Sequence, residues 1–201
     1  MTLQRSPFRL PQKTRSGLPE AAAEWFLGLK TIDQIYKREV NEEYTSDDFL
    51  RLVLKIFNIQ HQVASGHRDS IPATGPSVIV ANHPFGGIEG VALADLLLQV
   101  RPDVKVLTNE LLCRIHELKE LFIGVDIIST DARMKNANAI EEARKWVKEG
   151  HQLLIFPAGE VSSLDLSLRQ VTDPRWRNTA ARIIRQTRAK VTPVFIEGQN
   201  G

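Results

Sequence analysis

The chain has 201 residues, 42% of them hydrophobic and 25% charged, with a formal net charge of +2. These values describe an ordinary globular protein, one domain or one domain plus a small helical cap, able to bury a sizeable core. The single cysteine, Cys113, excludes an internal disulfide and fits a reducing compartment. No run reaches the ~18 uninterrupted apolar residues of a spanning helix, and the first residues lack the apolar core of a signal peptide.

Residues 1–18 carry Arg5, Arg9, Lys13 and Arg15 with no acid and read as an arm. A helix is predicted from Leu18-Pro19-Glu20, since proline and an acid suit a first turn. A second follows over about Thr31 to Tyr44. A third begins at Ser46, whose hydroxyl is expected to cap it, and extends toward Ser65-Gly66. Together residues 1–69 form the arm and an N-terminal helical cap. Residues 70–76 are a linker by composition.

Beyond the linker, strands alternate with helices. Strands are predicted at 77–81, 104–107, 125–128, 152–156 and 191–196, and helices near 88–99, 109–120, 134–149 and 175–188. This alternation implies an α/β domain over 70–201, a mainly parallel sheet flanked by helices. The chain stops just past the last strand, so the natural protein is expected to continue. Residues 174–190 hold five arginines and one lysine without an acid. Such an excess suits anionic lipid, phosphate or nucleic acid, or simply a solvated helix face.

Two loops carry the chemistry. The apolar run Val78–Ala81 opens into Asn82-His83-Pro84-Phe85-Gly86-Gly87-Ile88-Glu89-Gly90. Imidazole accepts a proton near neutral pH, and a carboxylate on its far nitrogen fixes the tautomer. Glu89 can reach back to His83 across a turn that Gly86 and Gly87 permit; alternatively, His83 packs a turn and Glu89 starts a helix. The run Leu153–Phe156 opens into Pro157-Ala158-Gly159-Glu160-Val161-Ser162. There the amide of Gly159 and the hydroxyl of Ser162 are candidate anion donors. Glu160 is a candidate to orient a substrate hydroxyl or hold the loop. Arg133, just past the third strand, is a candidate phosphate ligand or an exposed arginine. The scattered histidines lack the spacing of a metal site.

Taken in order, these blocks resemble the glycerolipid acyltransferase superfamily, the lysophosphatidic acid acyltransferase group. Asn82-His83 with Glu89 is similar to its Asn-His-x4-Asp block, and Asp131-Ala132-Arg133 to its Asp-Arg block. Phe156-Pro157-Ala158-Gly159-Glu160-Val161-Ser162 is similar to its Phe-Pro-Glu-Gly-Thr-Arg-Ser block, departing with Ala158-Gly159-Glu160 where Glu-Gly-Thr is expected and no arginine at 163. Val191-Thr192-Pro193-Val194 is similar to its Val-Pro-Val strand. The match covers about residues 70–198. Ile88 stands where the aspartate is usual, and the acid falls one place later. That shift resembles the divergent hemolysin-type and ornithine-lipid acyltransferase branch.

The resemblance implies O-acyl transfer from acyl-CoA or acyl-carrier protein, with no other cofactor, to a hydroxyl of a lyso-lipid. The acceptor would be a lyso-ornithine or other aminolipid, or a lysophospholipid. His83 would be the general base and Glu89 its partner. Asn82, Gly86, Gly87, Arg133, Gly159, Glu160 and Ser162 would line the substrate. From its own basic residues the protein is expected to be cytoplasmic, peripheral on the inner face of the membrane through residues 1–30 and the basic helix. The competing readings are an acyl thioesterase or lipid hydrolase and a non-catalytic lipid-binding module. A nucleic-acid partner is not expected, because only Trp176 interleaves the basic stretch.

Overall fold

The computed structural model describes Tyr36, Arg38 and residues 44–64, 68–126, 132–166 and 169–198, the side chains of 132 and 133 excepted. The predicted arm and first helix, most of the second helix, residues 65–66, the end of the predicted strand at 127–128 and Asp131 lie outside the described residues. Tyr36 and Arg38 are helical.

A five-stranded parallel sheet forms the centre. Its strands are β1 (Ser77–Ala81), β2 (Val104–Asn109), β3 (Phe122–Val125), β4 (Gln152–Ile155) and β7 (Lys190–Val194), in the order β3-β2-β4-β1-β7. A two-stranded antiparallel hairpin, β5 (Ser163–Asp165) and β6 (Gln170–Thr172), stands apart from it. The helices are α1 (Ser46–Ile56), α2 (Ile88–Leu98), α3 (Ala132–Lys148) and α4 (Thr179–Thr187).

Because β1 and β4 are covered on both faces, they read as continuous apolar runs rather than alternating ones. Ile79, Ala81 and Leu154 face α1 and α2, whereas Val78, Val80, Leu153 and Ile155 face α3 and α4. The helix α1 belongs to the first of these layers through the buried Phe49 and Leu50. Thr45, not Ser46, caps α1. Its hydroxyl accepts from the amide of Asp48 at 3.2 Å while the Asp48 carboxylate accepts from the amide of Thr45 at 3.1 Å, a capping box. The Ser46 hydroxyl instead donates to the carbonyl of Glu117 at 2.6 Å.

The predicted helix over 109–120 is replaced by two 3-10 turns, Leu112–Arg114 and His116–Leu118, broken by the extended Ile115. Adjacent strands need only this short crossover, and Ile115 and Leu118 plug the core from it. β3 accordingly starts at Phe122, three residues before its predicted position. α1 stops at Ile56 rather than near 65. α4 starts at Thr179 rather than 175 because residues 173–178 are held to the loops described below. The hairpin β5–β6 was not expected.

At the amino ends of the strands, the buried Arg101 ties three loops together. It donates to both carboxylate oxygens of Asp103 at 2.6 Å and to the carbonyls of Gly75 and Gly150 at 2.9 Å. His151 meets the same carboxylate at 2.8 Å. The hydrogen bonds from Arg101, with further help from His151, hold the Asp103 carboxyl down at about 2.

Candidate active site

β1 and β4 are neighbours whose connections leave in opposite directions. The chain from β1 crosses toward β2 through α2, and the chain from β4 crosses toward β7 through α4. Open α/β sheets hold ligands at such a switch point, outside the carboxyl ends of the strands. The register pairs Val80 with Ile155. The His83 loop and the Phe156-Pro157 loop therefore emerge side by side.

Glu89 lies in the first turn of α2 and is buried, 4% exposed. Its Oε1 meets His83 Nδ1 at 2.9 Å and accepts from the amides of Phe85 at 2.8 Å and Gly86 at 2.9 Å. Its Oε2 accepts from the amide of Gly87 at 2.8 Å. Gly86 makes this wrap of amides practicable, with φ of +84° in the left-handed region. A side chain there would also lie 2.9 Å from Val161 Cγ2. Burial pushes the Glu89 carboxyl up. The hydrogen bond from His83 and those from the loop amides outweigh it and bring the group down to about 2. The site thus holds a buried carboxylate that receives the Nδ1 edge of the imidazole, which assigns the proton of neutral His83 to Nδ1. Among the described residues no hydrogen bond engages Nε2. The ring stacks on Phe156, 4.6 Å between centroids, and that phenyl ring lies alongside Gly90.

Asp173, which sequence reasoning missed, joins the two loops. One carboxylate oxygen accepts from the amide of His83 at 3.0 Å and from the Ser162 hydroxyl at 2.5 Å. The other accepts from the indole of Trp176 at 2.8 Å. The amide of Ser162 donates to the carbonyl of His83 at 2.9 Å, so both polar groups of Ser162 staple the loops.

The remaining expected site residues sit at the same sheet edge in differing roles. The Asn82 amide makes a two-way bond with the backbone of Ile196, at 2.8 and 2.6 Å, and anchors the chain beyond β7. The amide of Gly159, expected to face an anion, donates to the carbonyl of Phe156 at 3.0 Å and closes a turn. Gly159 contributes space instead. A side chain on it would lie 3.4 Å from Arg177 Nε, so the guanidinium passes over the glycine. Arg177, a second residue missed as a site candidate, pairs with the exposed Glu160 at 3.1 Å, and its amide donates to the carbonyl of Pro157. Arg133 is the second residue of α3, whose Asn136 bonds the backbone of Asp126 just past β3; its side chain lies outside the described residues. Among the described residues no group of histidine, cysteine and carboxylate side chains is placed to hold a metal ion.

A family model described as Acyltransferase matches residues 11–201. The chain belongs to this acyltransferase family. That is the superfamily to which the four sequence blocks pointed, and the match includes the residues before the sheet as well as the sheet itself. Similar relatives include a lyso-glycine lipid O-acyltransferase of Phocaeicola vulgatus, 28% identical over 154 residues. Another carries the same name in Bacteroides thetaiotaomicron and is 30% identical over 156 residues. Each alignment takes in 76% of this acyltransferase-family chain and 52% or 54% of the relative. The chain therefore spans about half the length of the curated relatives it matches.

Proposed function

We propose that the protein transfers a fatty acyl group from an acyl thioester to the hydroxyl of a lyso-lipid. The observation that carries this reading is the His83–Glu89 pair at the switch point. The buried anion holds the imidazole by Nδ1 and favours the imidazolium that forms when Nε2 takes a proton. In the proposed step the acceptor hydroxyl gives its proton to Nε2 as its oxygen attacks the thioester carbonyl. The carbon–sulfur bond then breaks, and the imidazolium returns the proton to the leaving thiolate. No covalent acyl-enzyme forms. Positioning supplies much of the rate, and the base about 10²–10⁴-fold.

The names of the relatives make a lyso amino-acid lipid the first acceptor to test, ahead of lysophosphatidate. Arg133 and Arg177 are the proposed head-group cations, with Gly159 and Glu160 beside Arg177 at the rim. Gly86 and Gly87 leave the approach to His83 open. Asn82 and Ser162, whose polar groups the protein itself engages, act by fixing the loops. No helix among the described residues is long and apolar enough to cross a membrane, and the lipid acceptor favours peripheral association on the inner face.

The test is mass spectrometry of products from acyl-carrier protein or acyl-CoA. Lyso-glycine lipid, lyso-ornithine lipid, lysophosphatidate and no acceptor are compared. Acylated amino-acid lipid is the expected product. Free fatty acid formed equally without an acceptor would instead make the protein a thioesterase. No turnover by the intact, folded protein with any donor would favour a lipid-binding module.

A further inference from the structure

The hairpin β5–β6 carries apolar side chains that neither core uses. Leu164 lies opposite Val171 in its register and so shares a face with it, and Leu166 follows just past the end of β5. Leu164 is 59% exposed and Leu166 82% exposed. An isolated two-stranded hairpin is only marginally stable in water and needs something to pack its apolar face against. No described residue of either core supplies that cover.

The surroundings state what kind of surface fits. Arg169 lies in the hairpin, and the exposed Arg175 and Arg177 follow it. Residues 160–190 contain seven basic side chains and three acids, Glu160, Asp165 and Asp173. Asp173 is turned inward onto His83, Ser162 and Trp176, and Glu160 pairs with Arg177. Leucines beside arginines, in a segment whose basic side chains outnumber its acids, match the apolar boundary and anionic head groups of a bilayer. The hairpin is also fastened to the proposed base. Asp173 directly follows β6 and accepts from the amide of His83 at 3.0 Å.

We propose that the β5–β6 hairpin is a membrane-docking element, its exposed Leu164 and Leu166 seated in the interface of an anionic bilayer. Docked in this way, the rim of the His83 site meets the lipid surface, and the acceptor reaches it without leaving the bilayer. This inference rests on the lipid-acceptor reading given above.

Vesicles of phosphatidylethanolamine and phosphatidylglycerol test it, by co-sedimentation of the intact protein and its Leu164→Ser/Leu166→Ser variant. A short-chain, water-soluble acceptor reports whether the variant is folded and active. The variant should partition at least about ten-fold more weakly and keep its turnover of the soluble acceptor. Equal binding of the two proteins would overturn the hairpin proposal and leave the acyltransferase reading intact. If the wild type does not bind vesicles, docking fails altogether, while soluble turnover judges the chemistry separately. A fluorophore at Leu166→Cys, in a Cys113→Ser background, gives an independent readout. It should be open to an aqueous quencher in solution and shielded by vesicles. Shielding before vesicles are added would mean that the protein covers this face itself, and would overturn the proposal.

Discussion

Replacing Glu89 with glutamine separates the two tasks assigned to this carboxylate. It keeps the size of the side chain and removes the charge. Four groups now donate to it, from His83, Phe85, Gly86 and Gly87, and a carboxamide has only one accepting oxygen. The carboxyl falls from an ordinary 4.5 to about 2 in the folded protein, which corresponds to about 3 kcal/mol of stability. Because the folded value is depressed, that contribution is fully present above about pH 5 and fades as pH falls toward 2. Urea unfolding should therefore find Glu89→Gln less stable than wild type by up to about 3 kcal/mol at pH 7, with the gap narrowing below pH 4. At pH 7.5 the folded variant should lose about 10²–10⁴-fold in kcat for acceptor-dependent thiol release, with a smaller change in KM. A kcat within about three-fold of wild type, under half a logarithm in rate, would refute the pairing as a catalytic device. A stability gap that does not change between pH 7 and 3 would refute the electrostatic account.

Three further outcomes follow from the geometry. Asp173→Ala leaves the Ser162 hydroxyl, the Trp176 indole and the His83 amide without their acceptor; it should cost about 2–3 kcal/mol and alter Trp176 fluorescence, and unchanged emission would contradict that link. Gly86→Ala meets both the positive φ and Val161, and should destabilise by about 1–3 kcal/mol. Adding Val161→Ala should restore only part of that loss in thermal unfolding, because the backbone strain remains. Asp103→Ala leaves the buried Arg101 without its counterion and should lower unfolding free energy by about 3–5 kcal/mol while kcat changes little, since Arg101 and Asp103 sit at the amino ends of the strands, away from His83.

The sequence revealed the parts of the molecule whose signals are local. β1 and β4 are short apolar runs next to glycine-rich loops, and the turn from His83 to Glu89 spans six residues. Elements shaped by tertiary contacts were not legible. The crossover Leu112–Leu118 carries apolar residues at helical spacing but folds as two 3-10 turns broken at the extended Ile115, which together with Leu118 is drawn into the core. Asp173 stands 90 positions from His83, and nothing in its own neighbourhood marks it as the acceptor that joins two loops. The amide of Gly159 lay in a plausible anion-binding context, yet the turn it closes consumes that donor. Arg177 was legible only as one of several basic residues until the chain folded it over Gly159.

The central claim is that His83 takes the proton of a lipid hydroxyl as an acyl thioester is opened. Its most direct test is acceptor-dependent thiol release by His83→Ala, with and without added imidazole. The folded variant is predicted to lose at least about 10²-fold and to recover part of that rate when free imidazole supplies the missing base. Wild-type release by His83→Ala would contradict the assignment.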